Sequence, residues 1–160
     1  MPSKEALIEQ LRTRVATDIA LLTESQRTIQ AGATHEQSRP EDDKDTRAVE
    51  SSYLARGLAD RVADLRHAAA LLASFRPKQF GVDDAVALGA LVRLESSTGD
   101  ASYFVVPAAG GLELEVEGGS VTSVTPTAPL GAALIGLFLD EDVEVSTPKG
   151  SRSFTLVAID

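Results

Sequence analysis

Residues 3–30 read SKEALIEQLRTRVATDIALLTESQRTIQ. Ile8, Leu11, Val15, Leu22 and Ile29 stand at alternating three- and four-residue steps, with polar gaps at Asp18 and Ser25. That is the spacing of a heptad seam along one helix. Leu7, Ile19 and Leu21 widen the stripe. Ser3 suits the N-cap, and Glu5 and Glu9 place carboxylates near the positive end of the helix dipole. Gly32 is the expected stop, so the predicted helix runs from Ser3 to Gln30.

A second helix is predicted over Thr46–Phe75. Leu54, Leu58, Leu65, Leu72 and Phe75 repeat the seam, with Val62, Ala68 and Ala69 beside it. Arg76-Pro77 stops it, because the residue before a proline disfavours helical geometry. Two amphipathic helices of similar length joined by a short polar stretch give an antiparallel hairpin with arms of about 40 Å at ~1.5 Å rise per residue. The alternative on periodicity alone is half of an ordinary helical bundle.

Residues 31–45 form the predicted tip, AGATHEQSRPEDDKD. Apart from Pro40 it has no apolar side chain larger than Ala, so it cannot bury itself and is expected at the surface. Glu41, Asp42, Asp43 and Asp45 make it acidic, and Asp45 or Thr46 can cap the second helix. His35 and Glu36 lie close enough to share a cation, but plain solvent exposure is the better reading. Arg39, Lys44 and Arg47 flank the acids and offset their repulsion, or contact phosphate or carboxylate. His67 reads as a surface or interdomain residue. Tyr53 and Phe75 are expected to pack at the hairpin edge or the domain junction.

The chain changes character near residue 80, where Val, Thr and Gly rise and the period shortens to two. Residues 77–84 read as a linker between a hairpin at 1–76 and a domain at 85–160. Strands are expected at Ala87–Glu95 and Ser102–Pro107. Leu112, Leu114 and Val116 alternate with Glu113, Glu115 and Glu117, which marks a strand with one wet face. Gly118-Gly119 turns the chain into a strand at Ser120–Thr125. Ala128–Gly136 is a short apolar helix with Pro129 in its first turn. Val143–Thr147 and Ser153–Ile159 pair across Pro148-Lys149-Gly150. The expected fold class is α+β: an antiparallel helical hairpin plus a small antiparallel β domain with one short helix. Phe138 and Leu139 read as core, with an exposed apolar pair that touches a partner as the alternative.

The bulk properties exclude several functions. The 160 residues are 43% hydrophobic and carry a formal charge of −9, which disfavours direct binding to nucleic acid and suits a basic protein partner, or simply solubility. There is no Cys, hence no disulfide and no thiolate zinc site. No stretch reaches the ~18 apolar residues of a membrane span, and the N-terminus lacks a signal-peptide core, so a cytoplasmic location without membrane contact is expected. No nucleophile–base set and no Gly-rich phosphate loop occur.

Ala128–Gly136, Asp140-Glu141-Asp142-Val143 and Thr147-Pro148-Lys149-Gly150 resemble the C-terminal domain of the bacterial GreA/GreB transcript-cleavage factors. In that family a Ser-Pro-x-x-x-Ala-Leu-Leu-Gly helix precedes an acidic turn, a strand and a Pro-x-Gly hairpin. The resemblance covers about residues 80–160 by motif, and the hairpin extends it by shape. It implies an FKBP-like C-terminal fold and a monomer that binds bacterial RNA polymerase at the secondary channel, with Pro129, Leu130 and Phe138 as partner-binding residues. It also implies that tip acids act in trans near the nascent RNA 3′ end. They would help hold a Mg²⁺ shared with the polymerase, so the chain is expected to have no cofactor of its own and not to be an enzyme.

The family tip reads roughly Gly-Asp-x-x-Glu-Asn, and this chain departs from it. Aligned without gaps, Glu41 falls on the family Asp and Lys44 on the family Glu. A shift of one residue pairs Asp42 with Asp45 instead, with Asp43 as substitute. The chain therefore reads either as a cleavage-stimulating factor or as a regulator that occupies the channel without cleavage. A prolyl isomerase and a helical adaptor without polymerase binding are the competing readings.

Overall fold

The computed structural model describes the backbone of residues 1–36 and 44–160 and the side chains of residues 1–32 and 46–160. It has two long helices, α1 (Lys4–Glu36) and α2 (Lys44–Ser74), then β1 (Leu91–Ser96), β2 (Gly99–Val105), β3 (Glu113–Val116), β4 (Gly119–Val124), α3 (Pro129–Leu134), β5 (Asp142–Thr147) and β6 (Gly150–Ile159). The fold class is α+β, as expected. Ser3 caps α1, its hydroxyl accepting from the Ala6 N–H at 3.3 Å.

Gly32 does not end α1, which continues to Glu36. A stop at glycine depends on a left-handed residue there. Gly32 lies between Ala31 and Ala33, both strong helix formers that offset its cost of about 1 kcal/mol. Residues 37–43, rather than 31–45, therefore separate the two helices.

The chain forms two compact units, Met1–Arg12 with Leu71–Asp160, and Thr13–Ala70. In the helical unit, Val15, Val62 and Leu65 are buried. Leu22, Ile29, Ala55 and Leu58 are half-buried on the same heptad course. Asp18 fills a polar gap of that course and meets Arg14 one turn earlier at 3.9 Å. The seam of α2 differs from expectation at one place. Leu54 is 56% exposed, whereas Val62 is 4% exposed. Stepping back from Leu72 by alternate threes and fours leads through Leu65, Val62, Leu58 and Ala55, so Leu54 falls beside the seam.

The second unit is built on a six-stranded sheet ordered β3-β4-β2-β1-β6-β5. The sheet is mixed, not antiparallel throughout. Every pairing is antiparallel except β2 with β4, which is parallel, with Tyr103 opposite Thr122 and Val105 opposite Val124. The Gly118-Gly119 turn sets the β3–β4 hairpin locally, and the hairpin then inserts β4, not β3, beside β2. Turn residues report the hairpin but carry no information on which of its strands becomes the inner one.

One sheet face packs with α3 into a core of Val92, Leu94, Val105, Val124, Leu134, Val143, Val145 and Leu156. On the other face Phe104, fully buried, meets the ring of Phe75 at 6.4 Å between centroids. The expected linker contributes Phe80 to the core, so it is an integral part of this unit. The compact units thus divide the chain elsewhere than at 77–84.

The helix α3 depends on Gly131. A Cβ built there would lie 1.9 Å from the Thr125 carbonyl oxygen and 2.8 Å from its carbon. Both are backbone atoms that cannot swing aside, so only glycine lets the helix approach this closely. Gly131→Ala is expected to destabilise the domain by about 2 kcal/mol or more. Gly32→Ala, whose added methyl meets nothing within 4 Å, is expected to be neutral or stabilising. Urea unfolding of the two variants checks the contrast.

Candidate functional site

The residues singled out by the sequence fall in the acidic stretch between the helices and in the β domain, and the structure adds a third set where the start of α1 meets the end of α2. At the tip, Glu41, Asp42 and Asp43 lie outside the described residues, as do the side chains of His35, Arg39, Lys44 and Asp45. Asp45 has a place in α2, one residue from its start. Among the described residues no group of three or more His, Asp or Glu is placed to hold a metal ion.

The base joins the start of α1 to the end of α2. The last carbonyls of a helix have no partner within it. Arg12 of α1 supplies one, its Nε and Nη2 donating to the Leu72 carbonyl at 3.1 and 2.9 Å. Glu9 pairs with the same guanidinium. The start of one arm therefore lies beside the end of the other, the antiparallel arrangement of a hairpin. Gln10 reaches the sheet edge, where its amide donates to the Glu115 carbonyl at 2.8 Å and accepts from the Glu115 N–H at 3.0 Å.

Lys4 completes the base. It is only 2% exposed, and its ammonium donates to the Lys78 carbonyl at 2.8 Å and sits 4.9 Å from the Phe80 ring centroid. Lys78 lies over the same ring at 4.4 Å. Composition alone does not mark Lys4 as buried, since a lysine in a first turn ordinarily points to water. Burial holds its pKa below the ordinary value, against the opposing pull of Asp160 and Glu5.

The β domain carries most of the charge. Residues 77–160 contain twelve acidic and four basic side chains. The acids line both sheet edges, with Glu113 and Glu115 exposed on β3 and Asp142 and Glu144 exposed on β5. Of the expected partner-binding residues, Pro129 is exposed at the start of α3, Leu130 is half-buried against the core, and Phe138 is 48% exposed. Phe138 is therefore not core. The turn that follows α3 closes on itself and leaves the ring outside. Tyr53 is 69% exposed and does not pack at the hairpin edge, because it falls opposite the α2 seam. Phe75 does pack, on Phe104. His67 and Arg47 are exposed on α2. Sequence reasoning passed over Ile135 and Val82, which are 41% and 70% exposed.

The first turns of α1 and the last of α2 form one unit with a small acidic β domain, while the rest of the two long helices forms another. Comparison gives the family. Residues 81–160 match the family described as transcription elongation factor GreA/GreB, C-terminal part. The chain belongs to the GreA/GreB family. Over 78 residues it is 36% identical to the transcription elongation factor GreA of Syntrophus aciditrophicus (strain SB). That match covers 48% of this chain and 45% of the relative, so it spans less than half of the relative's length. Among solved structures, GreA factor homolog 1 (Gfh1) of Thermus thermophilus is 22% identical, with 93% of this chain and 94% of that one covered at a TM-score of 0.40. Gfh1 of Thermus aquaticus is 20% identical, with 97% and 94% covered at a TM-score of 0.39. No described helix is long and apolar enough to cross a membrane.

The buried Lys4 gives a pH test. Its folded pKa lies below the unfolded value, so in the alkaline range the unfolded chain holds more protons and native stability rises with pH. Relative to Lys4→Met, wild-type stability is expected to increase as pH climbs toward the ordinary lysine value of 10.5. Thermal melting of both proteins across that range checks it. A constant difference would show that Lys4 is not buried as a cation.

Proposed function

We propose that this chain is a transcription factor that binds bacterial RNA polymerase, with the β domain docked at the mouth of the secondary channel and the hairpin inside it. The match of residues 81–160 to the GreA/GreB C-terminal family carries this reading. The hairpin supports it. α1 alone has 33 residues, a reach of about 50 Å at ~1.5 Å per residue, long enough to bring a loop to a recessed active site. The chain is not itself an enzyme on this reading; it lends side chains to the polymerase.

The tip acids set what it does there. Carboxylate oxygens are the hard donors that Mg²⁺ accepts, so Asp42 and Asp45, with Asp43 or Glu41 as neighbours, suit a magnesium held jointly with the polymerase. Such an ion, when bound, stabilises charge that develops on phosphate oxygens. The work left to this chain is to ligate through one carboxylate and to hold the attacking water in line through another, next to the backtracked RNA 3′ end. Asp in place of the family Glu shortens that reach by one methylene, and placement to about 1 Å decides rate. A second reading follows from Lys44, which in the gapless register stands where the family has its second acid. A cation there opposes a shared magnesium, and the hairpin then regulates by filling the channel. A prolyl isomerase is disfavoured, since Phe80 and Phe104 are consumed by packing.

RNA cleavage in a purified backtracked elongation complex with Mg²⁺ separates the two. Cleavage by wild type that falls at least roughly tenfold in Asp42→Ala/Asp45→Ala supports the shared-ion role. Absence of cleavage, with competition against a cleaving factor and a gain of cleavage in Lys44→Glu, supports occupancy. Neither cleavage nor competition overturns the polymerase reading and favours a helical adaptor.

A further inference from the structure

Two exposed apolar side chains of the β domain sit on closed turns in segments that hydrogen-bond to each other. The first is Phe138. Its N–H donates to the Glu141 carboxylate at 2.9 Å, and its carbonyl accepts from the Glu141 N–H at 3.2 Å. The turn is anchored to β6, since the Asp140 N–H donates to the Leu156 carbonyl at 2.8 Å and the Glu141 carbonyl accepts from Leu156 at 2.9 Å. The second is Val82. It lies in a turn closed at both ends between Gly81 and Asp84, at 2.8 and 3.1 Å. Val86 joins the two segments. Its N–H donates to the Leu137 carbonyl and its carbonyl accepts from the Gly136 N–H, both at 2.8 Å. Ile135 is exposed at the same junction.

The charge here is one-sided. No Lys or Arg occurs in residues 79–92 or 94–148, while Asp83, Asp140 and Glu141 adjoin the apolar side chains. No ion pair involves these acids among the described residues. Exposed apolar groups held rigidly, with unneutralised acids around them, are what an interface with a basic partner requires. The apolar groups supply burial, and the acids steer and orient. Rigidity lowers the ordering cost of binding.

We infer that Val82, Ile135 and Phe138, with Asp83, Asp140 and Glu141 around them, form a docking face for a basic protein surface that inserts an apolar side chain. This rests on the reading above, under which that surface belongs to RNA polymerase; the face would be the one by which the β domain holds on. It adds the exit of α3 and the Val82 turn to the contact expected at Pro129, Leu130 and Phe138.

The test is binding of the fluorescently labelled full chain to bacterial core RNA polymerase at low and moderate salt. Ile135→Ser/Phe138→Ser is expected to weaken binding at least roughly tenfold without lowering the melting temperature greatly, since neither residue belongs to the core. Asp83→Asn/Asp140→Asn is expected to weaken binding at low salt and to flatten its salt dependence. Asn also tolerates the left-handed backbone of Asp140, φ 67°. If wild type binds and both double variants bind equally well, the docking face is overturned and the polymerase reading stands. If wild type does not bind, the polymerase reading falls and this assignment with it. Self-association abolished by Phe138→Ser would place a second copy on the face, and would overturn the polymerase assignment of it.

Discussion

The geometry of this protein hangs on the Leu72 carbonyl at the end of α2, which takes donors from the other helix. A helix end left without donors is costly to bury, and here the donors come from Arg12 in the other arm. That contact fixes which turn of α1 faces which turn of α2. The heptad seam alone cannot do so, since a repeat of seven permits slips by whole heptads. The planar guanidinium, itself oriented by Glu9, removes that freedom at the base. Leu7, Ile8, Leu11 and Leu72 are then buried to 3% exposure or less, whereas Leu21, Val49, Tyr53 and Leu54 farther along the arms remain more than half exposed. The apolar seam is thickest where the arms begin and end.

The same first turns of α1 solve a second problem. β3 is an edge strand, and an edge offers unpaired N–H and C=O groups to any passing strand. The Gln10 amide occupies both groups of Glu115, standing in for one residue of a neighbouring strand. Glu113 and Glu115 add like charge along that edge, and Asp142 and Glu144 do so along β5 at the other. Much of the acidity of residues 77–160 therefore has a structural reason that is independent of any partner. The acids around Phe138 are different. They sit on turns, not on an open ladder, and edge protection does not explain them.

What could be read from the sequence follows from the range of the interactions involved. Helices, their heptad course and the Ser3 cap depend on residues a few positions apart, and they emerge from spacing. So do the hairpin turns at Gly118-Gly119 and Gly150 and the proline at the start of α3. The parallel pairing of β2 with β4 joins segments about twenty residues apart, and only the packing of the completed sheet decides it. Phe138 was misjudged and the burial of Lys4 went unforeseen for one reason: side-chain chemistry states a preference for oil or water, and a short anchored turn or a single well-placed carbonyl can override it. The candidate site was legible as motif in the β domain. At the tip, register rather than composition is the missing quantity, because four acids and one lysine within five positions satisfy more than one alignment.

The exposed Phe138 and the tip acids bear on each other through a simple requirement. Were the hairpin to work at the far end of a channel, as proposed above, an error in its seating would be carried along the whole arm. A tilt of a few degrees at the base displaces the end of a ~50 Å helix by several ångströms, far more than a ligating carboxylate tolerates. A factor of this design therefore needs rigidity where it holds its partner and where the arms leave the domain, and it can accept a thinner seam between. The structure distributes order in that way. Three backbone hydrogen bonds and one to the Glu141 carboxylate anchor the Phe138 turn to itself and to β6, Arg12 ties α1 to the end of α2, and Gln10 and Lys4 tie the start of α1 to the domain. Polar and small residues such as Asp18, Gln26, Ser51 and Ala55 enter the seam beyond it. Arg12 and Lys4 thus fix the start of α1, although neither belongs to any site that the sequence singles out.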